Sequence, residues 1–275
     1  MKNLILYIKT YKQDQIPFKK LVESINKYNK DLIPLLVSVN NEDFEYFKNF
    51  FPNLDIISDS KISTCEEKDG WRYQQIIKSQ VHKLNITHNY ICLDSDSYFI
   101  RDFYISDFMY NDTIPYTIIH NQKDLFEWTD NNLKNLKGNP KEYFYDVCKK
   151  IMNKFNRNGI YYDFGPCPVI WSTKVWKSFE DEFLLKHNKS FSEIIAEVPS
   201  EFTWYGEWLL YSKKIEIYPR SPLFKVFHYE KQYKDFIKSG YKIESLKENY
   251  LGVVMQSNWT RKKPNKFLKF LKKLK

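Results

Sequence analysis

The first hundred residues alternate between two hydrophobic periods. Leu4 to Lys9 holds five apolar residues in succession and reads as a strand. Phe18, Leu21, Val22 and Ile25 then recur at i, i+3, i+4 and i+7, one apolar face of a helix, with Asp14 placed to cap it. Ile33 to Val39 predicts a second strand, Asp43 to Phe51 a short helix stopped by Pro52, and Asp55 to Ser58 a third strand. Trp71 to Leu84 carries Ile77, Val81 and Leu84 on one side of a helix. Tyr90 to Leu93 is a fourth strand, and it runs directly into acids.

Such alternation predicts an α/β chain with a mostly parallel central sheet flanked by helices. In such sheets ligands sit at the carboxyl ends of the strands. Beyond residue 115 the pattern loosens. Tyr116 to His120 predicts a strand, and residues 121–160 read as a loop-and-helix insertion with a helix near Glu142 to Phe155. Pro168 to Trp171 predicts a strand, followed by a helix capped by Ser172 and running through Phe183. Ser200 is placed to cap a helix reaching Tyr211, and Ile215 to Tyr218 and Phe224 to His228 read as short strands. No repeat or linker interrupts the chain, so one irregular-ended domain is expected over residues 1–260, with halves 1–115 and 116–260.

The fourth strand ends in Asp94-Ser95-Asp96. Two carboxylates there suit a hard divalent cation, Mn²⁺ or Mg²⁺, which would neutralise a departing diphosphate. The plainer reading is a turn that closes a strand with acids. On the preceding helix, Arg72, Gln75 and Ser79 share a face with Lys78 beside them, either a ribose- or phosphate-gripping surface or a solvated side. Glu201 shares a helical face with Trp204, Tyr205 and Trp208, where a carboxylate beside rings suits an acceptor sugar and deprotonation of its hydroxyl; Glu207 is the second candidate. Each is also open to a structural reading, Glu201 as a first-turn acid favouring the helix dipole.

With Lys9-Thr10-Tyr11 and Asp14, Gly70 to Lys78, the Asp94-Ser95-Asp96 strand, Gly165 to Trp171, and Ser200-Glu201 with Tyr205-Gly206, the chain resembles bacterial GT-A glycosyltransferases of capsule and lipooligosaccharide synthesis. The resemblance spans most of residues 1–260. It implies a GT-A-like fold with a nucleotide-sugar-binding half (1–115) and an acceptor-side half (116–260). It implies donor contacts from Lys9, Thr10, Tyr11, Arg72, Gln75, Lys78 and Ser95, and acceptor contacts from Trp204 and Tyr205. A metal would be held by Asp94 and Asp96, with His228 as a late third ligand. Asn258 and Trp259 are placed to close over the donor.

Composition changes this picture in two places. Aromatic residues make up 18% of the chain, which fits either a sugar-stacking surface or an A/T-rich coding bias. The net charge is +9, but residues 261–275 carry eight cations and no acid, which leaves +1 for residues 1–260 (9 − 8). The basicity is a tail, not a nucleic-acid groove. From Pro264 a helix would put Phe267, Phe270, Leu271 and Leu274 on one face and Lys266, Lys269, Lys272 and Lys273 on the other, suited to an anionic membrane surface. Cys65, Cys92, Cys148 and Cys167 have no pairing spacing, no signal-type run opens the sequence, and no stretch reaches the ~18 apolar residues of a spanning helix. A cytoplasmic protein, peripheral at the inner membrane face, is therefore expected.

The glycines form no G-x-G-x-x-G and no P-loop, and neither a G-x-S-x-G elbow nor a zinc spacing exists. Two rival readings stand beside glycosyl transfer. A sugar-phosphate nucleotidyltransferase would share the sheet, but would normally carry a Gly-rich loop after strand one. A basic membrane- or nucleic-acid-binding module is opposed by the near-neutral body.

Overall fold

The computed structural model describes residues 1–132, 140–256 and 259. Its centre is a five-stranded sheet of β1 (Lys2–Thr10), β2 (Leu35–Val39), β3 (Asp55–Ser58), β4 (Thr87–Asp94) and β7 (Val169–Ser172), in the order β3-β2-β1-β4-β7. The first four strands run parallel, and β7 joins β4 antiparallel. This is the mixed α/β class that the alternation predicts. Leu4 to Ile8 of β1 are all buried, as a central strand covered on both faces requires.

The helices of the first half follow the predicted apolar faces. They are α1 (Gln15–Tyr28), α2 (Phe44–Phe50) and α3 (Gly70–Ser79). Phe18, Leu21, Val22 and Ile25 are buried as the periodicity demands. Asp14 stands at the N-cap position of α1 but accepts no capping bond; its carboxylate instead receives the Ser95 hydroxyl at 3.0 Å. α3 ends at Ser79 rather than Leu84, because residues 81–84 tighten into a 3₁₀ turn closed by Asn85 at φ 53°. Asp69 caps α3, accepting the Trp71 and Arg72 N–H groups.

The second half adds α4 (Lys123–Asn132), α5 (Pro140–Lys154), α6 (Thr173–Ser178), α7 (Phe191–Glu197), α8 (Glu201–Ser212) and α9 (Glu230–Lys238). Ser172 makes no capping bond, and α6 stops at Ser178 before a π-helical turn over 179–184. Ser200 does cap α8, accepting the Thr203 N–H. Two small sheets complete the description. One pairs β6 (Tyr116–Ile118) with β8 (Tyr218–Arg220), so the strand expected at 215–218 begins three residues later. The other orders β5 (Ser97–Phe99), β10 (Gly252–Met255) and β9 (Phe224–Phe227).

One hydrophobic cluster runs from Leu4 to Val254 and draws on both halves. Much of the aromatic content lies in it. Trp171, Trp176 and Trp204 are fully buried; Trp171 packs on Trp176, Trp176 on Tyr205, and Trp204 on Phe179, which also meets Trp208. No helix among the described residues is long and apolar enough to cross a membrane. The basic tail and Asn258 lie outside the described residues.

Candidate active site

The strand order reverses between β1 and β4, since β2 and β3 lie to one side of β1 and β4 to the other. That reversal opens a crevice at the carboxyl ends of the two strands. Lys9 of β1 is in register with Asp94 of β4, so both strand ends reach the crevice together. Ser95 ties the acidic turn to the end of β1 through Asp14, and the Asp96 carbonyl accepts the Met255 N–H at 2.9 Å from the small sheet. The acidic turn is thus fixed from both sides.

Asp94 and Glu201 share one buried cation. The Lys78 ammonium lies 2.5 Å from an Asp94 oxygen and 3.7 Å from a Glu201 oxygen. Lys78 and Glu201 are almost fully covered, while the Asp94 side chain is 31% exposed and opens to solvent. Burial raises the Glu201 pKa to about 7, with Lys78 pulling it down and Asp94 pushing it up. Burial also works against the charge on Lys78, but Asp94 and the neighbouring groups outweigh it and hold its pKa above the ordinary lysine value. α3 and α8 are joined here, because the Gln75 side-chain oxygen accepts the Glu201 N–H at 3.3 Å. Gln75 and Lys78 are therefore committed to internal contacts, while Arg72 is half-buried with its charge beside Tyr143 of α5.

A second row of polar groups follows the ends of β1, β2 and β3. Thr10 Oγ1 and Asn40 Oδ1 are buried without a hydrogen-bond partner. Asp59, fully buried, makes an ion pair with Lys9 at 2.9 Å. Burial lowers the Lys9 pKa, and Asp59 acts against that. Buried polar atoms are nearly always satisfied, so the unpaired oxygens at these two adjacent strand ends are free to bond a polar ligand. Tyr11 is half-buried at the same edge.

For a divalent cation the chemistry of the donors fits. Asp94 and Asp96 offer hard carboxylate oxygens at a partly open strand end, and diphosphate and water oxygens would complete the shell. Among the described residues no group of three or more His, Cys, Asp or Glu gathers closely enough to hold an ion by protein ligands alone. His228 follows β9, whose Phe227 is in register with Met255, the residue that bonds Asp96. The structure brings it to the same edge without completing a three-residue cluster. Burial pushes its pKa down to about 4, so the ring is neutral near pH 7.

His228 opens onto a cavity of about 1020 Å³ beside the small sheet, also lined by His120, Gln122, Trp128, Lys225 and Tyr250. The His120 Nε2–H donates to the Gly165 carbonyl (2.8 Å) and lies 3.5 Å from Asp163. Burial opposes charge on both, yet their mutual attraction raises the His120 pKa and lowers that of Asp163. Trp128 stacks on Tyr229 at 5.5 Å.

Residues 3–242 match the model of a family of unknown function, DUF6492. The chain belongs to that family. A comparison of this DUF6492 chain with curated proteins finds no match. Among solved structures it is similar to the apo form of mouse xyloside xylosyltransferase 1, at 10% identity and TM-score 0.45 over 95% of this chain and 100% of that one. It is also similar to the apo bifunctional glycosyltransferase WbbM, at 11% identity and TM-score 0.49 over 92% of this chain and 45% of that one. Likenesses this weak decide nothing about activity.

Three residues expected at the substrate have internal roles in the DUF6492 structure. Trp204 is 1% exposed and its indole N–H donates to the Val198 carbonyl. Tyr205 is 3% exposed, and its hydroxyl accepts the Ser172 N–H. Both rings are core, which removes them as acceptor platforms. Glu207 is wholly buried and held by two bonds from Arg157, a structural ion pair rather than a group facing a reactant. Trp259, expected over the donor, packs on Tyr233 and donates to the Phe227 carbonyl. Asp59 and Asn40 were not singled out by sequence, although Asp59 carries the same signal as Asp94, an apolar strand ending in an acid.

Proposed function

We propose that the chain is a GT-A-type glycosyltransferase that moves a sugar from a nucleotide-sugar donor to a glycan or glycolipid acceptor. The observation that carries this reading is the meeting of the β1 and β4 carboxyl ends, with Lys9 in register with Asp94. It joins an acidic pair in a strand-end turn to unpaired buried oxygens on the neighbouring strand ends. The Thr10, Asn40 and Asp59 row offers hydrogen bonds to a nucleoside. Asp94 and Asp96 would hold a divalent cation, which when bound supplies charge neutralisation to the leaving diphosphate. His228, neutral and at the same edge, is proposed as a third ligand. The Lys78 ammonium, 2.5 Å from an Asp94 oxygen, fixes the direction of that side chain. Glu201 is the carboxyl group nearest neutrality at this site and is proposed as the group that exchanges a proton with, or orients, the reacting sugar. The cavity at His228, with Trp128 beside polar side chains, suits an acceptor sugar.

Surface-polysaccharide synthesis and a place at the inner face of the cytoplasmic membrane belong to the same proposal and rest on the sequence resemblance and the basic tail. Purified chain would be incubated with a panel of nucleotide sugars and Mn²⁺, and nucleoside diphosphate release measured. Release that falls at least a hundredfold in both Asp94→Ala and Asp96→Ala supports the assignment; full activity in either variant refutes it. Pyrophosphate release from a nucleoside triphosphate and a sugar phosphate would instead establish the nucleotidyltransferase.

A further inference from the structure

A second cavity, of about 580 Å³, lies on the surface between α1, β5, α9 and residues 242–247. Lys20, Lys27, Lys242 and Lys247 converge on it, against Glu23 and Glu244. Among the described residues, none of the four lysines lies within ion-pairing distance of a carboxylate. Glu23 pairs instead with Lys19 at 3.8 Å. The Lys20 ammonium rests 3.4 Å from the centre of the Tyr98 ring, and Lys27 lies 4.9 Å over Tyr28. On the adjoining α9, by contrast, Lys231 meets Asp235 and Lys234 meets Glu230. Four ammonium groups around one concavity, two of them on ring faces and none ion-paired among the described residues, outnumber its two glutamates and leave the site electropositive.

The rim tells what faces it. α9 buries no residue fully, and Ile237 on the groove wall is 43% exposed. Tyr233, another wall residue, stacks against Trp259 at 5.9 Å. The run of eight cations begins two residues past Trp259 in the sequence. That segment cannot be the occupant, since like charges repel. An extended anionic surface has the charge to meet the groove.

We propose that this groove is a membrane-docking surface of the folded body, seating phosphate headgroups of anionic lipid while Ile237 enters the interface. It is separate from the crevice between β1 and β4 and does not depend on the transfer chemistry proposed there.

The full chain would be sedimented with vesicles of 30% phosphatidylglycerol in phosphatidylcholine. A Lys27→Glu/Lys242→Glu/Lys247→Glu variant should bind at least tenfold more weakly than the unaltered chain. A Lys61→Glu/Lys174→Glu/Lys186→Glu variant, with the same net charge but its changes elsewhere on the exposed surface, should bind within about twofold of it. Equal weakening in both variants, or no weakening in the first, would overturn the proposal, the latter leaving the tail alone as the anchor. Competition by millimolar inorganic phosphate at constant ionic strength would also overturn it in favour of a small-anion pocket. Should the first variant lose its fold by circular dichroism, Lys242→Gln/Lys247→Gln, at two exposed positions, carries the same comparison with a threefold loss expected.

Discussion

Glu201 and Glu207 sit on the same helix, and their neighbours decide their chemistry. Glu207 has an arginine to itself, so its charge is matched and its role is to lock α8 to the segment holding Arg157. Glu201 shares Lys78 with Asp94, so two carboxylates compete for one cation in a buried place. The folded protein therefore favours a proton on Glu201, with a pKa of about 7 against an unfolded value near 4.3. The sign follows: the folded state takes up a proton that the unfolded chain has released, so this group's contribution to stability is complete below about pH 4 and is lost as pH rises through 7. On the order of 3 kcal/mol is involved. Glu201→Gln fixes the uncharged form, so its urea-unfolding free energy should fall less between pH 5 and pH 8 than that of the unaltered chain. Parallel pH profiles would show that Glu201 is charged throughout, and would remove it as a proton-exchanging group. Sequence alone named Glu201 but not its reason, because Lys78 and Asp94 reach it only through tertiary packing.

At the scale of elements, the long strands and helices of the first half were legible because each carries enough residues to show a period. β5 and β10 were not. Their pairing joins Tyr98 to Val253 across the length of the chain, a contact that no local pattern announces. Yet this small sheet holds the acidic turn in place, since Met255 at its edge bonds the Asp96 carbonyl. Its closest approach is at Gly252, where an added Cβ would stand 2.5 Å from the Tyr98 carbonyl oxygen and 2.5 Å from the Phe224 ring. The ring can turn, but the strand backbone can yield only by moving β5. Gly252→Ala should cost about 1–3 kcal/mol of stability and weaken Mn²⁺ or donor binding as Asp96 shifts, measured by denaturation and calorimetry on the same sample. A stability loss with unchanged ligand affinity would show that the sheet does not position the acids.

For the whole molecule, the proposed site depends on parts far apart in sequence. The crevice belongs to β1 and β4, Asp96 is braced by β10, Glu201 begins α8, and one hydrophobic cluster passes through both halves. The sequence showed the two halves as differently patterned stretches but could not show that a shared core joins them, because the contacts are long-range. A ligand spanning the crevice should then stabilise the body as one unit. With a nucleoside diphosphate and Mn²⁺ at about a hundred times Kd, the gain is about 2.7 kcal/mol, or roughly 5–10 °C in Tm for a domain of this size. Calorimetry should show a single transition that moves as a whole, and the shift should vanish in Asp94→Ala because the cation loses a ligand. Two transitions with only the earlier or later one moving would mean that the halves unfold separately and that the ligand rests on one of them. In that case Glu201, which enters from the second half, would not be part of the donor's site.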